Sequence, residues 1–220
     1  MSDFSWKDYF NNKVSTHNGS VMASDYYDEK SFFVQRDNIL KWLGEPKGLE
    51  ILDAGCGVGA FSEPLAKDNT VHGVDFAEKS LEFASKRGLI THLDDLTRMK
   101  FDEGRFDITL CIGVIQLVHE EYENVIKELV RVTKPGGTVL VETLNKNSFL
   151  RKIYLKFNKE KNFDYMFTKD ALIGFYSKYG LKDIEFMTVY HPTSFVTYKK
   201  DEGFIDKYFG TSFAIKGIKA

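Results

Sequence analysis

The chain is poor in cysteine, proline and long apolar runs. Its two cysteines, Cys56 and Cys111, cannot form a disulfide framework and match no zinc-ligand spacing, so we predict no metal site. No stretch approaches the ~18 apolar residues that a membrane span needs. The first residues, MSDFSWKDYF, also lack the apolar core of a signal peptide. These absences lead us to expect a cytoplasmic protein without a membrane span.

A strong charge of either sign is also missing. Thirty Lys and Arg residues face 32 Asp and Glu residues, which gives a net charge of −2. A dedicated nucleic-acid-binding domain is usually basic, so we expect no nucleic-acid partner. The 220 residues, 43% of them hydrophobic, suffice for one domain with a full apolar core.

Strand-like and helical patterns alternate through the middle of the chain. Apolar runs predict strands at 49–53, 71–75, 89–93, 107–112, 138–142, 184–190 and 213–218. Apolar residues at three- and four-residue steps predict helices at 31–43, 60–67, 78–87, 120–132 and 168–179. Such alternation is typical of an α/β fold with a doubly wound, largely parallel sheet, similar to the Rossmann fold.

Aromatic residues are concentrated in the flanks. Only six of the 32 Phe, Tyr and Trp residues lie between residues 43 and 148, while nine precede that block and 17 follow it. We therefore divide the single domain into an N-terminal helical cap (1–44), a cofactor-binding core (45–144), an inserted substrate cap (145–167) and the last part of the sheet (168–220). The aromatic flanks either form an acceptor pocket or pack a small core of their own.

A glycine loop, Asp53-Ala54-Gly55-Cys56-Gly57-Val58-Gly59-Ala60, follows the first predicted strand. Residues without a Cβ are needed where a ligand presses on the backbone of a tight turn. The following helix would present free N–H groups to an anionic group. The spacing also fits the dinucleotide pattern GxGxxG/A, and Asp75 stands where an acid binds ribose hydroxyls in either case.

Asp53 separates the two interpretations. A carboxylate at the mouth of the loop would repel the pyrophosphate of NAD. The same carboxylate would attract an ammonium group and a nearby sulfonium. The charge pattern therefore favours S-adenosylmethionine over a dinucleotide.

Five segments in order resemble the motifs of class I S-adenosylmethionine-dependent methyltransferases: ILDAGCGVG, VHGVDFAEKSLEFA, HLDDL, FDITLCIGVIQLV and ELVRVTKPGGTVLVET. Together they span about residues 49–144 at the usual spacings. The resemblance implies a seven-stranded sheet of order 3-2-1-4-5-7-6, with the last strand antiparallel and helices on both sides. It also implies S-adenosylmethionine as the methyl donor and S-adenosylhomocysteine as the product.

The resemblance assigns cofactor-binding roles to the residues that match the family motifs. The loop over the methionyl portion matches Ala54, Gly55, Gly57 and Gly59, with Asp53 near the ammonium group. The ribose acid matches Asp75, and the side chain beside the adenine matches Phe76. The adenine amino group would donate to Asp95 or Asp94, and a ring nitrogen would accept from the Leu96 N–H.

Further residues at the ends of the cleft follow from the same resemblance. Cys111 and Ile112 would line the cleft at the end of the fourth strand. Tyr27 and Arg36 fall where many small-molecule members contact the methionyl carboxylate. For Arg36 the alternative is a solvated helix face.

The sequence contains fewer features that identify the acceptor or a catalytic base. Candidate bases are His119, near the carboxyl end of the sheet, and His191, at the end of a strand, although helix-start packing also explains His119. Gln116 stands where many relatives carry a histidine. No Asn/Asp/Ser-Pro-Pro-aromatic tetrapeptide of nucleobase and glutamine N-methylating relatives occurs, since CIGV occupies that position. We expect a small-molecule oxygen or nitrogen acceptor, oxygen being favoured.

The segment 145–161 is basic, with Phe149, Ile153 and Phe157 recurring every four residues. It fits a solvated surface helix, a patch for an anionic acceptor, or a peripheral membrane contact for a lipophilic acceptor. Two other functions stay open for the whole chain: an NAD-binding Rossmann oxidoreductase and a catalytically silent S-adenosylmethionine-binding module. The sequence carries no signal on oligomeric state.

Overall fold

The structure, a computed structural model, describes residues 5–24, 28–157, 165–190, 195–198 and 204–220. In these ranges the α-helices are α1 (Trp6–Thr16), α2 (Glu29–Leu43), α3 (Glu78–Lys86), α4 (Tyr122–Val132), α5 (Phe149–Phe157), α6 (Lys169–Lys178) and α7 (Phe204–Phe209). The strands are β1 (Glu50–Ala54), β2 (Thr70–Asp75), β3 (Ile90–Leu93), β4 (Phe106–Ile112), β5 (Thr133–Leu144), β6 (Leu181–Tyr190), β7 (Phe195–Tyr198) and β8 (Ser212–Lys219).

All strands belong to one sheet of order β3-β2-β1-β4-β5-β8-β6-β7. Neighbours among β1 to β5 pair in parallel, whereas β8 runs antiparallel to both β5 and β6. The seven predicted strands therefore take the expected order 3-2-1-4-5-7-6 with the last one antiparallel. An unpredicted strand, β7, is added at the edge beside β6.

Helices bury both faces of the sheet. On one face α4 and α6 pack Leu129 and Tyr176 into a cluster with Val139 and Val141. On the other face α2 and α3 pack Ile39 and Leu81 into a cluster with Leu140. Successive β5 residues thus point to opposite faces of the sheet, and both faces are buried, as in a parallel sheet covered on both sides. The core follows from uninterrupted aliphatic runs in the central strands.

Polar side chains cap the beginnings of α2 and α6, and a glycine ends α2. Asp28 caps α2 by accepting a hydrogen bond from the Ser31 N–H at 2.8 Å, and Gly44 ends that helix with a left-handed φ of 97°. Thr168 caps α6 through its hydroxyl, which accepts from the Ala171 N–H at 3.2 Å. These caps fix where the two helices enter and leave the sheet layers.

The prediction of a helix over 60–67 is wrong. That segment forms turns and one short 3-10 helix, Leu65–Lys67. Pro64 has no N–H to donate to the Ala60 carbonyl, so regular helical pairing cannot be completed there. The carbonyl oxygen of Ala60 instead accepts from Arg36 Nη1 at 3.4 Å. The glycine loop is consequently not backed by a long helix and its dipole.

In the described ranges, no helix is both long enough and apolar enough to cross a membrane.

Candidate functional site

A cavity of about 440 Å³ lies at the carboxyl ends of the first four strands. Ligands bind at this edge in open α/β sheets because the loops after parallel strands converge there. The lining comes from the loop after β1 and from the ends of β2, β3 and β4. Helix α1 adds part of the wall: its lining residues are Trp6, Lys7, Phe10 and Val14.

The glycine loop is held tightly against β2 and the loop after β4. The Gly55 and Cys56 N–H groups donate to the Val74 carbonyl at 2.7 and 3.0 Å. Gly55 has a φ of 81°, and a Cβ built on it would lie 2.3 Å from Cγ2 of Val114. Only glycine combines that left-handed backbone with so close an approach. The loop therefore presents bare backbone to the cavity.

Asp75, at the end of β2, is fixed by that loop. Its carboxylate accepts from the Gly57 N–H and the Ala77 N–H, both at 2.8 Å. Burial raises the pKa of Asp75, and these backbone donors oppose the rise by stabilising the charged form. The acid is thus oriented toward the cavity before any ligand binds.

Asp53, at the end of β1, is buried and lines the same cavity. Its carboxylate accepts from the Ser62 hydroxyl at 2.6 Å. Burial raises its pKa to about 7; the Ser62 hydrogen bond lowers that pKa, while the nearby Asp75 charge raises it. A cation placed in the cavity would favour the charged form of Asp53.

The predicted adenine side is formed by the turn after β3. Asp94 accepts from the Asp95 N–H and from the Lys100 N–H, one on each carboxylate oxygen. Asp95 accepts from Thr97 through a single oxygen, Oδ1. Both acids and Leu96 line the cavity. Among the hydrogen bonds of the described residues, Oδ2 of Asp95 has no partner, so Asp95 keeps an oxygen for a ligand.

Helix α1 was not foreseen as part of the cavity wall. Trp6 and Phe10 stack with their ring centroids 5.8 Å apart, and Phe10 meets the Phe76 ring at 6.4 Å. The buried Val14 continues the same face. The four-residue steps among these three α1 residues were the available sequence signal. No individual helix is predicted before residue 31, so α1 is an element that the predicted pattern lacks.

Several other predicted cofactor residues lie away from the cavity wall. Ala54 and Cys111 are buried in the sheet, and neither belongs to the lining. Gly59, also outside the lining, allows close packing, because a Cβ there would lie 2.8 Å from Cα of Ala84. Arg36 bonds Asp37 and the Ala60 carbonyl. Tyr27 lies outside the described residues.

The candidate bases are not brought together at the cavity. His119 lies beside Tyr165, with ring centroids 6.0 Å apart, and Gln116 is buried and accepts from the Thr143 hydroxyl at 2.9 Å. Neither belongs to the lining. His191 lies outside the described residues. The wall after β4 is instead apolar: its lining side chains are Ile112, Val114, Leu117 and Val118.

The lining has a strongly acidic character. Among the described residues it contains four aspartates, Asp53, Asp75, Asp94 and Asp95, against the single cation Lys7. Such a wall suits a cationic ligand with hydroxyl and amino donors better than it suits a pyrophosphate. Within the same ranges, no group of three or more His, Cys, Asp or Glu residues could hold a metal ion.

Comparison with known proteins gives the same class. The methyltransferase domain family model matches residues 51–137. The ubiquinone biosynthesis O-methyltransferase of Bordetella avium is 33% identical over 149 residues, which is 60% of this chain and 61% of that protein. The chain therefore spans about three fifths of this curated relative's length.

Solved structures match over nearly the whole chain. A S-adenosylmethionine-dependent methyltransferase from Thermotoga maritima has a TM-score of 0.73 and 24% identity, over 97% of this chain and 99% of that one. Magnesium protoporphyrin IX methyltransferase from Synechocystis, solved with bound S-adenosylhomocysteine, has a TM-score of 0.68 and 20% identity, over 97% and 98%. Residues 51–137 thus match the methyltransferase domain family model, and the chain has the class I methyltransferase fold.

Proposed function

We propose that this protein binds S-adenosylmethionine in the cavity and transfers its methyl group to an oxygen of a small-molecule acceptor. The observation that carries the proposal is the acidic, glycine-lined cavity at the carboxyl ends of β1 to β4. The fit is chemical as well as steric. A Cβ on Gly55 would clash with Val114, so the loop keeps its shape only with glycine there. The aspartates suit a cationic ligand with several hydrogen-bond donors.

The cofactor-binding roles follow the order of the loops. Asp53 faces the ammonium end, and the bare backbone of Gly55 and Gly57 covers the methionyl portion. Asp75 accepts from the ribose hydroxyls, since two backbone donors already hold its carboxylate in place. Asp95 accepts from the adenine amino group through the oxygen that Thr97 does not use.

S-adenosylmethionine, when bound, supplies a methyl group already activated by a sulfonium sulfur. The protein's contribution is to place the acceptor in line with that methyl group and to exclude water, and such positioning lowers barriers by ~7–11 kcal/mol in favourable cases. We assign the acceptor to the apolar wall after β4, where Ile112 and Val118 suit an aromatic or otherwise lipophilic molecule. The relatives named O-methyltransferases support oxygen.

The base assignment stays a prediction. His119 and Gln116 belong to the same segment as the apolar wall, but neither lines the cavity. His119→Ala should lower turnover more than S-adenosylhomocysteine affinity if the imidazole takes the acceptor proton. Unchanged turnover would leave deprotonation to Gln116-bound water, to His191 or to solvent.

Ligand-induced stabilisation tests the cofactor. Saturating S-adenosylhomocysteine at a hundred times its Kd should add ~2.7 kcal/mol of stability, measured as a rise in Tm, and NAD should add none. Stabilisation by NAD alone would replace the proposal by the oxidoreductase alternative. Tight S-adenosylhomocysteine binding without label transfer from tritiated S-adenosylmethionine to any phenolic acceptor would favour a silent binding module.

Asp75→Asn tests the assigned ribose contact. Loss of a hydrogen bond to a charged acceptor costs ~1.5–3 kcal/mol, so S-adenosylhomocysteine affinity should fall by roughly ten- to hundredfold. Asp37→Asn is the matched control, because Asp37 is exposed and bonds only Arg36 among the described contacts. Equal affinities of the two variants, by calorimetry, would remove Asp75 from the site.

A further inference from the structure

The α5–α7 surface, formed by residues 149–157 and 204–209, carries an unusual share of the exposed apolar groups. Ten large apolar side chains are exposed in the described part of the chain, and seven of them lie on these two helices. On α5 they are Phe149, Leu150, Ile153 and Phe157, and on α7 they are Ile205, Tyr208 and Phe209. Phe157 is 79% exposed, the largest fraction among the ten. Scattered exposed apolar residues need no explanation, but a concentrated patch marks an interaction surface.

The two helices form one surface because α5 follows the end of β5 and α7 precedes the start of β8, at the same edge of the sheet. β5 ends and β8 begins at the paired residues Leu144 and Ser212. The Asn145 side-chain amide then donates to the carbonyls of Lys207 and Gly210, each at 2.9 Å. The rings of Phe149 and Phe209 lie 6.4 Å apart across the two helices. The patch is therefore continuous.

Cations border the apolar stripe of α5. Successive helical residues are about 100° apart, so Phe149, Leu150, Ile153 and Phe157 fall within an arc of roughly 100°. Lys156 and Lys152 follow within roughly 60° of its edge, and both are exposed. The single acid among residues 145–157 and 204–210 is Asp206, which is buried and bonded to the Tyr190 hydroxyl. The exposed charge of this surface is thus entirely positive.

From these observations we propose that the α5–α7 surface docks on a membrane surface that contains anionic lipids. An interfacial helix buries an apolar stripe at the headgroup boundary while flanking lysines reach the lipid phosphates. A protein partner would need a complementary acidic rim around an apolar face, whereas an anionic bilayer offers both at any orientation. The surface lies at the same edge of the sheet as the cavity, since Ile112 of the lining pairs with Glu142 near the end of β5. Docking there would bring the cavity close to a membrane-dissolved acceptor.

The test is co-sedimentation of the full chain with sucrose-loaded vesicles, either of phosphatidylcholine alone or of phosphatidylcholine mixed with phosphatidylglycerol. We expect binding to the mixed vesicles, weakened by salt. Ile153→Ser with Phe157→Ser should reduce that binding at least tenfold. Lys152→Glu with Lys156→Glu should also reduce it, because each cation near an anionic surface strengthens binding roughly fivefold.

Matched controls separate this surface from general effects of charge and hydrophobicity. Ile90→Ser removes an apolar side chain from β3, at the far side of the sheet, that is 48% exposed against 41% for Ile153. Lys47→Glu with Lys67→Glu reverses two exposed lysines near the amino ends of β1 and β2. Both controls should bind the mixed vesicles like the unaltered protein.

Two results would overturn the proposal: no binding of the unaltered protein to the mixed vesicles, or binding that the α5 variants leave unchanged. Concentration-dependent dimerisation that the α5 variants abolish, without vesicle binding, would assign the surface to a second copy instead. The inference does not rest on methyl transfer. The rise in Tm with S-adenosylhomocysteine, measured on every variant, keeps its outcome separate from that of the proposed function.

Discussion

The two parts of the chain differ in what they do for the cavity. In the described ranges, every lining residue comes from residues 5–118, and none comes from residues 119–220. Yet the second part completes the sheet with β5 to β8 and buries Tyr176, whose hydroxyl donates to the Ile215 carbonyl at 3.1 Å. Residues 5–118 line the cavity, whereas residues 119–220 complete the buried sheet and carry the exposed α5–α7 surface.

Strand order and strand direction together explain this division, because β5 ends at the same edge as β1 to β4 but is separated from β1 by β4. The parallel strands β1 to β4 all end at one edge, so their four loops converge on the same cavity. Because β8 runs antiparallel to its neighbours, it brings only its beginning to that edge. The family model, matching residues 51–137, falls mainly in the part that builds the cavity. The comparison teaches that the cavity depends on the loops after β1 to β4, whereas the exposed α5–α7 surface depends on the second part of the chain.

Among changes in residues 5–118, adding a methyl group to a glycine of the loop after β1 should weaken cofactor binding most. Gly55 and Gly136 both have left-handed backbones, which cost other residues about 1–2 kcal/mol. A Cβ would lie 2.3 Å from Val114 at Gly55 and would meet nothing within 4 Å at Gly136. Gly55→Ala should therefore weaken S-adenosylhomocysteine binding about a hundredfold or more, while Gly136→Ala lowers only Tm. Calorimetry showing equal affinities would contradict this assignment of the loop.

The contribution of α1 can be measured within that helix. Phe10 lines the cavity and meets the Phe76 ring, whereas the adjacent Tyr9 lies outside the lining. Phe10→Ala should reduce S-adenosylhomocysteine affinity about tenfold, because an aromatic wall is lost beside the predicted adenine position. Tyr9→Ala is the matched control and should leave affinity unchanged. A larger loss in Tyr9→Ala would show that α1 acts through its folding rather than through contact.

The sequence was most informative where function depends on local chain geometry. The glycine loop, Asp53 and Asp75 could be placed because each lies at a strand end, and strand ends follow from the apolar runs. The turn holding Asp94 and Asp95 was assigned to the site by the resemblance of HLDDL to the family motif. Of these residues, all except Ala54 and Gly59 of the loop line one cavity.

The sequence was least informative where contacts join distant segments. The four-residue steps in α1 indicate a helix but not where it packs. Nothing local indicates that Arg36 donates to Ala60 rather than to a ligand. The predicted helix over 60–67 failed because an apolar pattern outweighed the missing donor of Pro64. Strand β7 and helix α7 were not predicted, since short elements at a sheet edge carry little periodicity of their own.

The titration of Asp53 should change ligand affinity by a smaller factor, and it tests whether this residue contacts the ammonium group. Its pKa is raised to about 7 by burial, so near neutral pH the empty cavity holds a partly protonated acid. A bound ammonium group favours the carboxylate, and affinity for S-adenosylhomocysteine should rise severalfold as pH increases through 7. Calorimetry in buffers of different ionisation enthalpy should detect the released proton. In Asp53→Asn this proton release should vanish; its persistence would point to another acid.

The smallest expected effect is on the free energy of unfolding. It involves two histidines, His72 and His92, that lie outside the cavity lining. His72 Nδ1 and His92 Nε2 are 2.9 Å apart, and Arg105 lies 3.3 Å from the other His72 nitrogen. Burial and the Arg105 charge lower the pKa of both histidines in the folded protein.

Below the ordinary histidine pKa of about 6.5 the unfolded chain therefore binds more protons than the folded one. The free energy of unfolding should fall as pH drops through that value and recover above it. Urea unfolding at about pH 7.5 and about pH 5.5 measures this difference. His92→Gln should flatten it, and His17→Gln, at an exposed histidine, should not. An unchanged slope in His92→Gln would mean that acid instability arises elsewhere, though not from Asp53 or Asp75, whose raised pKa values give the opposite dependence of stability on pH.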